Sequence, residues 1–158
     1  MALKTHKKLD LASCQLETAI GLFISGGDKF SVITLAGAAD VILCQLVLNQ
    51  DEENFTDHLL HNDSDAKDKN LTRQKYGRVI NDTLSINALK HMDKGNDDLV
   101  TLNIEECALG SILKALVNLI KLKGKDIDFV QAFLAWSTLN LDPKKYNIYG
   151  DPNWEEST

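Results

Sequence analysis

The sequence predicts an all-α fold, an antiparallel helical bundle of about five helices, on three observations. Both prolines, Pro143 and Pro152, lie in the last sixteen residues, so no helix-breaking residue interrupts the chain before them. No pair of alternating apolar runs joined by a tight turn indicates a β-hairpin. Apolar residues recur at helical spacing, first in the set Leu9, Ala12, Leu16, Ala19 and Phe23.

Length and charge limit the classes of protein to consider. The 158 residues, of which 44% are hydrophobic, are expected to form a single domain over residues 1–158. A formal net charge of −6 argues against a basic protein that coats nucleic acid. The N-terminal residues lack the pattern of a signal peptide, and the longest apolar run, Val32–Leu48, is interrupted by Asp40 and Gln45. We therefore expect a cytoplasmic protein with no membrane partner.

Two helices are predicted in the first third of the chain. The first ends near Ser25, where Gly26 and Gly27 break the apolar pattern. The second covers about residues 32–49, with Ser31 as its N-cap and apolar residues around most of its circumference. Such a helix belongs at the centre of a bundle. Because this helix and a later one carry more apolar surface than one small bundle covers, we also expect a homodimer.

Residues 51–70 are the most acidic part of the chain. Seven acids and two lysines give a local net charge of −5, which predicts an acidic connecting loop with one short helical turn around residues 55–60. His58 and His61 could join the nearby aspartates in a metal site, but their spacing matches no established pattern of ligands. We therefore predict a solvated loop, and neither a metal nor a cofactor.

Three further helices are predicted in the second half. One covers residues 71–92 and carries on a single stripe the residues Tyr76, Ile80, Leu84, Asn87 and His91. A capping-box pattern at Asn103 and Glu106 begins the next helix, which ends at Gly124. Asp126 is the predicted N-cap of the last helix, whose inward-facing residues are Phe129, Phe133, Trp136 and Leu139. The segment 142–158 is predicted to be an irregular tail.

The three cysteines, Cys14, Cys44 and Cys107, include no CxxC pair. An odd number makes a closed disulfide framework improbable. Each lies in an apolar helical pattern, so we interpret all three as small buried hydrophobic residues with free thiols.

His91 is the best candidate for a catalytic side chain. It lies one helical turn after Asn87 and next to Lys90. A neutral imidazole can accept a proton while Asn87 orients the ring and Lys90 offers positive charge to a phosphate or an oxyanion, a set that suits phosphodiester cleavage. The alternative is that Asn87 and His91 only hydrogen-bond each other and a neighbouring helix end.

Positive charge is concentrated around these residues. The segment 71–94 has a net charge of +3 and contains the only two arginines of the chain, Arg73 and Arg78. We predict that these arginines bind phosphate, because a guanidinium offers several donors to one anion.

Residues 15–43 (QLETAIGLFISGGDKFSVITLAGAADVIL) and the later segment 87–91 (NALKH) resemble small bacterial helical proteins related to the HEPN (higher eukaryotes and prokaryotes nucleotide-binding) superfamily. The resemblance extends over about residues 9–139. It implies an α-helical bundle that usually dimerises and, in many members, a metal-independent RNase. The signature of those RNases is an arginine, often followed directly by a polar residue, and then a histidine. Here His91 matches the histidine, Asn87 the polar residue, and Ile86 occupies the position of the arginine.

The isoleucine determines what the resemblance implies for function. Ile86 has no donor for a scissile phosphate, and Arg78 replaces the arginine only if the helix is broken or a second subunit presents it. The resemblance therefore implies a degenerate HEPN-like module that binds a nucleotide, an RNA or a protein partner without catalysis. One alternative is a metal-independent endoribonuclease with His91 as general base, assisted by Lys90 and Arg78. Another is a structural or regulatory scaffold with no ligand.

Overall fold

The computed structural model describes residues 1–92 and 98–155, which form seven α-helices and no strand. The predicted all-α class is confirmed. Two of the seven helices lie in the acidic segment, which explains why the predicted number of five is too small. The helices are α1 (Lys8–Ile24), α2 (Lys29–Leu48), α3 (Phe55–Asn62), α4 (Ser64–Asp68), α5 (Arg73–Thr83), α6 (Ile104–Lys123) and α7 (Asp128–Asn140).

Helices α1, α2, α6 and α7 build the core. The most extensive packing is that of α2 against α6 and α1, and α1 also contacts α6 and α7. A short turn joins α1 to α2, so these two helices pack in antiparallel orientation. The largest completely buried side chains come from all four helices and include Leu16, Ile33, Leu43, Leu116 and Phe133.

Helix α2 is apolar on almost every face. In the part of the chain that the structure describes, it is the one helix whose length and composition would suit a membrane span, and the core helix of a soluble protein has the same properties. Here α2 lies between α1 and α6, and it buries the carboxylate of Asp40.

Helix α2 begins three residues earlier than the sequence pattern suggests. The carboxylate of Asp28 accepts hydrogen bonds from the amides of Phe30 and Ser31, at 3.1 and 3.0 Å. Asp28 is therefore the N-cap, and the prediction of Ser31 in that role is wrong. The prediction that α1 ends before Gly26 is confirmed, because Gly26 has a φ of +73° directly after the C-cap of α1.

The acidic segment contains two helices rather than one helical turn. Asn54 and Asp63 begin α3 and α4, and each side chain accepts a hydrogen bond from an amide in the first turn, at 2.9 Å in both cases. Phe55 of α3 and Ala66 of α4 are buried. Charge alone suggested a solvated loop, but the two caps and the two buried apolar side chains stabilise local helix.

Helix α5 ends at Thr83, so the prediction of one helix over residues 71–92 is wrong. The amide of Ile86 bonds to the carbonyl of Asn81 at 2.8 Å, and the amide of Ser85 bonds to the carbonyl of Asp82 at 3.0 Å. These two bonds form a Schellman motif, in which Ser85 has a φ of +58°. Glycine usually occupies that position, and the serine gave no signal of a helix end.

The last two helices match the predictions in part. Asn103 caps α6 by accepting a hydrogen bond from the amide of Glu106 at 3.2 Å, and α6 ends before Gly124, as predicted. Helix α7 has no side-chain cap and begins at Asp128, so the prediction of Asp126 as its N-cap is wrong. Leu139 is 85% exposed, which contradicts its predicted inward orientation, because the buried stripe of α7 runs through Val130, Phe133 and Ser137.

Candidate binding site

The residues predicted to form a catalytic set do not form one unit. Asn87, Lys90 and His91 follow the end of α5, in a segment of turns rather than in a helix. The side-chain amide of Asn87 donates to Asp82 Oδ1 at 2.7 Å, while only the backbone joins His91 to Asn87, with an N to O distance of 3.1 Å. Since His91 is exposed and Asn87 is directed at Asp82, Asn87 does not orient the imidazole.

Ile86 is a core residue. Its side chain is 2% exposed and packs against α2 at Gly37, where an added Cβ atom would lie 2.7 Å from Ile86 Cγ2. The position that matches the signature arginine therefore faces the interior of the bundle and contributes to packing.

The two predicted phosphate-binding arginines lie on different faces of α5. Arg73 pairs with Asp57, with an Nε to Oδ1 distance of 2.7 Å, and its side chain remains 46% exposed. Arg78 is exposed, and five residues of helix place it about 140° around the axis from Arg73. Only Arg73 reaches the cavity described next.

A polar cleft of about 350 Å³ lies between α2, α5, α6 and the start of α3. Each helix contributes polar side chains to this cleft. Of these side chains, only Arg73, Gln74 and Asn81 come from the positively charged segment 71–94. The lining residues are Asp40, Val41, Cys44, Gln45, Asn54, Thr56, Arg73, Gln74, Gly77, Asn81 and Lys114.

A buried ion pair forms one wall of this polar cleft. Lys114 Nζ lies 2.5 Å from Asp40 Oδ2, and the two residues are 7% and 3% exposed. Lys114 also donates to Asn81 Oδ1 at 3.2 Å, and Asn118 Nδ2 donates to Asp40 Oδ1 at 2.9 Å. Burial by itself would lower the pKa of Lys114, but the adjacent Asp40 carboxylate raises that pKa above its ordinary value. Lys114 is therefore charged at neutral pH.

Cys44 contributes a thiol that is not a nucleophile. Burial, and next the negative charge of Asp40, raise the pKa of Cys44 to about 12, against the opposing effects of Lys114 and of a hydrogen bond with Thr56. A thiol with that pKa stays protonated at neutral pH.

The three cysteines are all free, as predicted, but only Cys107 is fully buried and Cys14 is exposed on α1.

Asn54 places an unused donor at the floor of the polar cleft. The residue is completely buried, and its Oδ1 atom accepts the amide of Asp57 at 2.9 Å as the N-cap of α3. This cap fixes which end of the side chain is the oxygen, and the Nδ2 group has no hydrogen-bond partner. An unpaired buried donor costs free energy, and a ligand that accepts a hydrogen bond there would recover it.

One further cation, Lys90, interacts electrostatically with the ion pair although it does not line the polar cleft. Lys90 is close enough to the ion pair that its pKa is lowered, first by partial burial and then by the positive charge of Lys114, while Asp40 acts in the opposite direction. Lys90 is thus the one residue of the predicted catalytic set whose charge is coupled to the polar cleft.

Most of the polar cleft was missed by reasoning from the sequence. Asp40 and Lys114, which line it, and Asn118, which donates to Asp40, are buried polar residues inside otherwise apolar helices. An acid in one core helix and a base in another is a signal that could have identified the pair. Nothing in a single helix, however, shows that the two face each other.

The histidines of the acidic segment make other contacts. His58 Nε2 lies 3.1 Å from the carbonyl oxygen of Trp154, and His61 contacts the carboxylate of Glu53. Within residues 1–92 and 98–155, no three side chains of histidine, cysteine, aspartate or glutamate come together in a way that could hold a metal ion.

Comparison of the chain with family models, with curated proteins and with solved structures finds no significant match.

Proposed function

We propose that the chain is a non-catalytic helical module that binds a nucleotide, with the phosphate held in the polar cleft. The observation that carries the proposal is the unpaired Nδ2 donor of Asn54, which lies at the N-terminus of α3. The amides of Phe55 and Asp57 in this first turn already have partners, so it is the positive end of the α3 dipole that favours an anion at the same place.

Two cations of the polar cleft keep hydrogen-bond donors that the protein does not use. Arg73 uses Nε for Asp57, which leaves its other guanidinium donors for a ligand. Lys114 donates to Asp40 and to Asn81, which leaves one of its three protons. An oxyanion with several acceptor oxygens matches this surplus of donors.

The charge of the polar cleft also favours an anion. Arg73 and Lys114 line it as cations, and each is paired with one carboxylate, Asp57 for Arg73 and Asp40 for Lys114. Lys90 adds a further positive charge close by. This local balance contrasts with the net charge of −6 for the whole chain, which disfavours an extended nucleic-acid surface.

Two features favour binding over catalysis. The thiol of Cys44 stays protonated, so it does not act as a nucleophile. Both oxygens of Asp40 accept hydrogen bonds, one from Lys114 and one from Asn118, so this carboxylate is not a free base. The proposal retains the interpretation of the chain as a degenerate HEPN-like module.

Calorimetric titration of the full chain with AMP, ATP, adenosine and inorganic phosphate tests the proposal. We expect AMP and ATP to bind, adenosine to bind much more weakly, and Arg73→Ala to weaken AMP binding about tenfold through loss of a charge-assisted contact. Arg78→Ala is the matched control, since it removes the other arginine of the same helix, and it should leave the dissociation constant unchanged.

Three results would overturn the proposal. They are the absence of binding by AMP and ATP, equal affinities for adenosine and AMP, and equal effects of the two arginine substitutions. If inorganic phosphate bound as tightly as AMP, the ligand would be a simple anion rather than a nucleotide.

A further inference from the structure

A second cavity, of about 420 Å³, lies on the other side of α5 from the polar cleft. It is bounded by α3, α5, α6 and the C-terminal segment 142–155. Arg73, Gly77 and Asn81 line the polar cleft, whereas Tyr76 and Ile80 line this second cavity, so α5 stands between the two. A single small ligand therefore does not occupy both.

Aromatic side chains are concentrated around this cavity. The chain has five phenylalanines, three tyrosines and two tryptophans, and four of these ten residues line it: Phe55, Tyr76, Tyr146 and Trp154. Most of the remaining surface is aliphatic, from residues such as Ile80 and Leu113. We call this cavity the aromatic pocket. Its volume lies within the usual range for small-molecule sites.

Both tyrosine hydroxyls of the aromatic pocket are held by carboxylates. Tyr76 donates to Asp63 at 3.1 Å, and burial together with that carboxylate raises the pKa of Tyr76 to about 12. Tyr146 donates to Glu106 Oε1 at 2.6 Å. Because these contacts satisfy the polar ends of the two side chains, the rings offer apolar surface rather than hydroxyl groups to a ligand.

The outer wall, which includes Trp154, is held in place. The carbonyl of Trp154 lies 3.1 Å from His58 Nε2, which ties this part of the chain to α3. Asn147 bonds through its side chain to both the amide and the carbonyl of Asp151, at 2.8 Å each. Gly150 has a φ of +58°, and an added Cβ atom would lie 2.5 Å from Ile120 Cδ1. The segment is irregular, as predicted, but it packs closely against α6.

The charged residues that line the aromatic pocket are cations, whereas the nearest carboxylates, Asp63 and Glu106, lie behind its tyrosine hydroxyls. Among its described lining residues, Lys114 and Lys145 are cations and none is a carboxylate. Lys145 Nζ lies 4.8 Å from the centroid of the Tyr146 ring and 3.1 Å from Glu106 Oε1. Lys114 is buried against Asp40, but the side chain of Lys145 is 57% exposed and keeps ammonium donors beyond Glu106 for the negative group of a ligand.

We propose that the aromatic pocket binds a planar aromatic anion, with its ring between the aromatic side chains and its charged group towards Lys145. This site is independent of the polar cleft, because α5 separates the two cavities and their linings share only Lys114. Stacking on aromatic side chains contributes strongly to the affinity for a planar ring, so removal of one wall should weaken binding about tenfold or more.

Calorimetric titration of the full chain with naphthalene-2-sulfonate, a planar aromatic anion, tests the proposal. We expect saturable binding with one equivalent per chain, and a dissociation constant raised about tenfold or more by Trp154→Ala. Trp154→Phe should retain binding to within about threefold, since an aromatic wall remains. Tyr149→Ala is the matched control, because Tyr149 is 60% exposed in the same segment and does not line the pocket.

Thermal unfolding of each variant separates loss of the pocket from loss of the fold. The proposal is overturned if the wild type does not bind the probe, if Trp154→Ala binds it normally, or if Tyr149→Ala weakens binding as much as Trp154→Ala does. Arg73→Ala should leave the affinity for the probe unchanged. Weakened binding in that variant would place the probe in the polar cleft and would also overturn the proposal.

Discussion

Lys114 Nζ of α6 lies 2.5 Å from Asp40 Oδ2 of α2, and this ion pair joins the two most extensively packed helices of the bundle. Both charges are largely shielded from bulk water, since the residues are 7% and 3% exposed. Each buried charge is therefore compensated by the other, and the pair forms one wall of the polar cleft.

Removal of one partner should destabilise the protein strongly. We expect Asp40→Ala and Lys114→Ala each to lower the free energy of unfolding by about 3–5 kcal/mol, because the remaining charge is buried without compensation. The double variant with Asp40→Ala and Lys114→Ala should lose much less than the sum of the two, because neither charge is then left unpaired. Urea unfolding measures all three, and strictly additive losses would contradict the prediction.

Stability should fall at alkaline pH because of Cys44. Its pKa is raised from 9.0 to about 12 in the folded state, so its contribution is complete below pH 9 and is lost as the pH rises from 9 towards 12. At about pH 10 the unfolded chain releases the thiol proton and the folded chain retains it. This difference lowers the free energy of unfolding by about 1.4 kcal/mol. The free energy of unfolding, measured from pH 8 to 10, should fall less steeply in Cys44→Ala. In Cys14→Ala, which removes an exposed thiol, the free energy of unfolding should fall with pH as it does in the wild type.

Two glycines in core helices should respond oppositely to the same substitution. Gly37→Ala introduces a Cβ atom 2.7 Å from Ile86 Cγ2, and we expect a loss of about 1–3 kcal/mol from overpacking. Gly21→Ala meets no atom within 4 Å, so the higher helix propensity of alanine should stabilise α1 by about 0.5–1 kcal/mol. Denaturant unfolding of both variants checks the signs, and a neutral Gly37→Ala would mean that Ile86 is not held against α2.

Asn54 should contribute separately to the helix and to the ligand. Asn54→Ser keeps an N-cap acceptor for α3 but removes the unpaired Nδ2 donor. We expect the free energy of unfolding to change by less than about 1 kcal/mol, while the affinity for AMP falls about fivefold through the lost hydrogen bond. The comparison requires calorimetry and urea unfolding on the same preparation. Unchanged affinity would show that the donor does not face the ligand.

RNA cleavage should be absent. Ile86 is buried in the core, and Asn87 donates to Asp82 rather than orienting His91, so the predicted catalytic set is not assembled. We expect the purified chain to leave a labelled single-stranded RNA intact in EDTA. Cleavage that disappears in His91→Ala would contradict this and support the endoribonuclease alternative.

The limits of sequence reasoning are clearest where a side chain acts across elements. The Asn103 cap and the glycine after α1 were predicted because each acts within a few residues of its own position. The end of α5 was missed because a serine occupies the left-handed position of its Schellman motif, where glycine is the usual signal. Leu139 was misplaced because a spacing of three or four residues fits more than one face of a short helix.

The candidate site shows the same division. Arg73 and Lys90 were selected from a local excess of positive charge; Arg73 lines the polar cleft, and Lys90 lies outside its lining but interacts electrostatically with Lys114 and Asp40. Arg78 belongs to the same excess but lies on another face of α5, because helical rotation separates neighbours in sequence. Asp40 and Asn118 were not selected, because each is a single polar residue within a long apolar run.

The sequence by itself determined that this chain is all-α, because apolar periodicity and helix caps act over a few residues and need no partner. The tertiary structure decided which polar residues meet. Asp40 and Lys114 are 74 positions apart and are joined only when α2 packs against α6. Burial then makes that pair, the Cys44 thiol and the unpaired amide of Asn54 chemically different from the same groups in water.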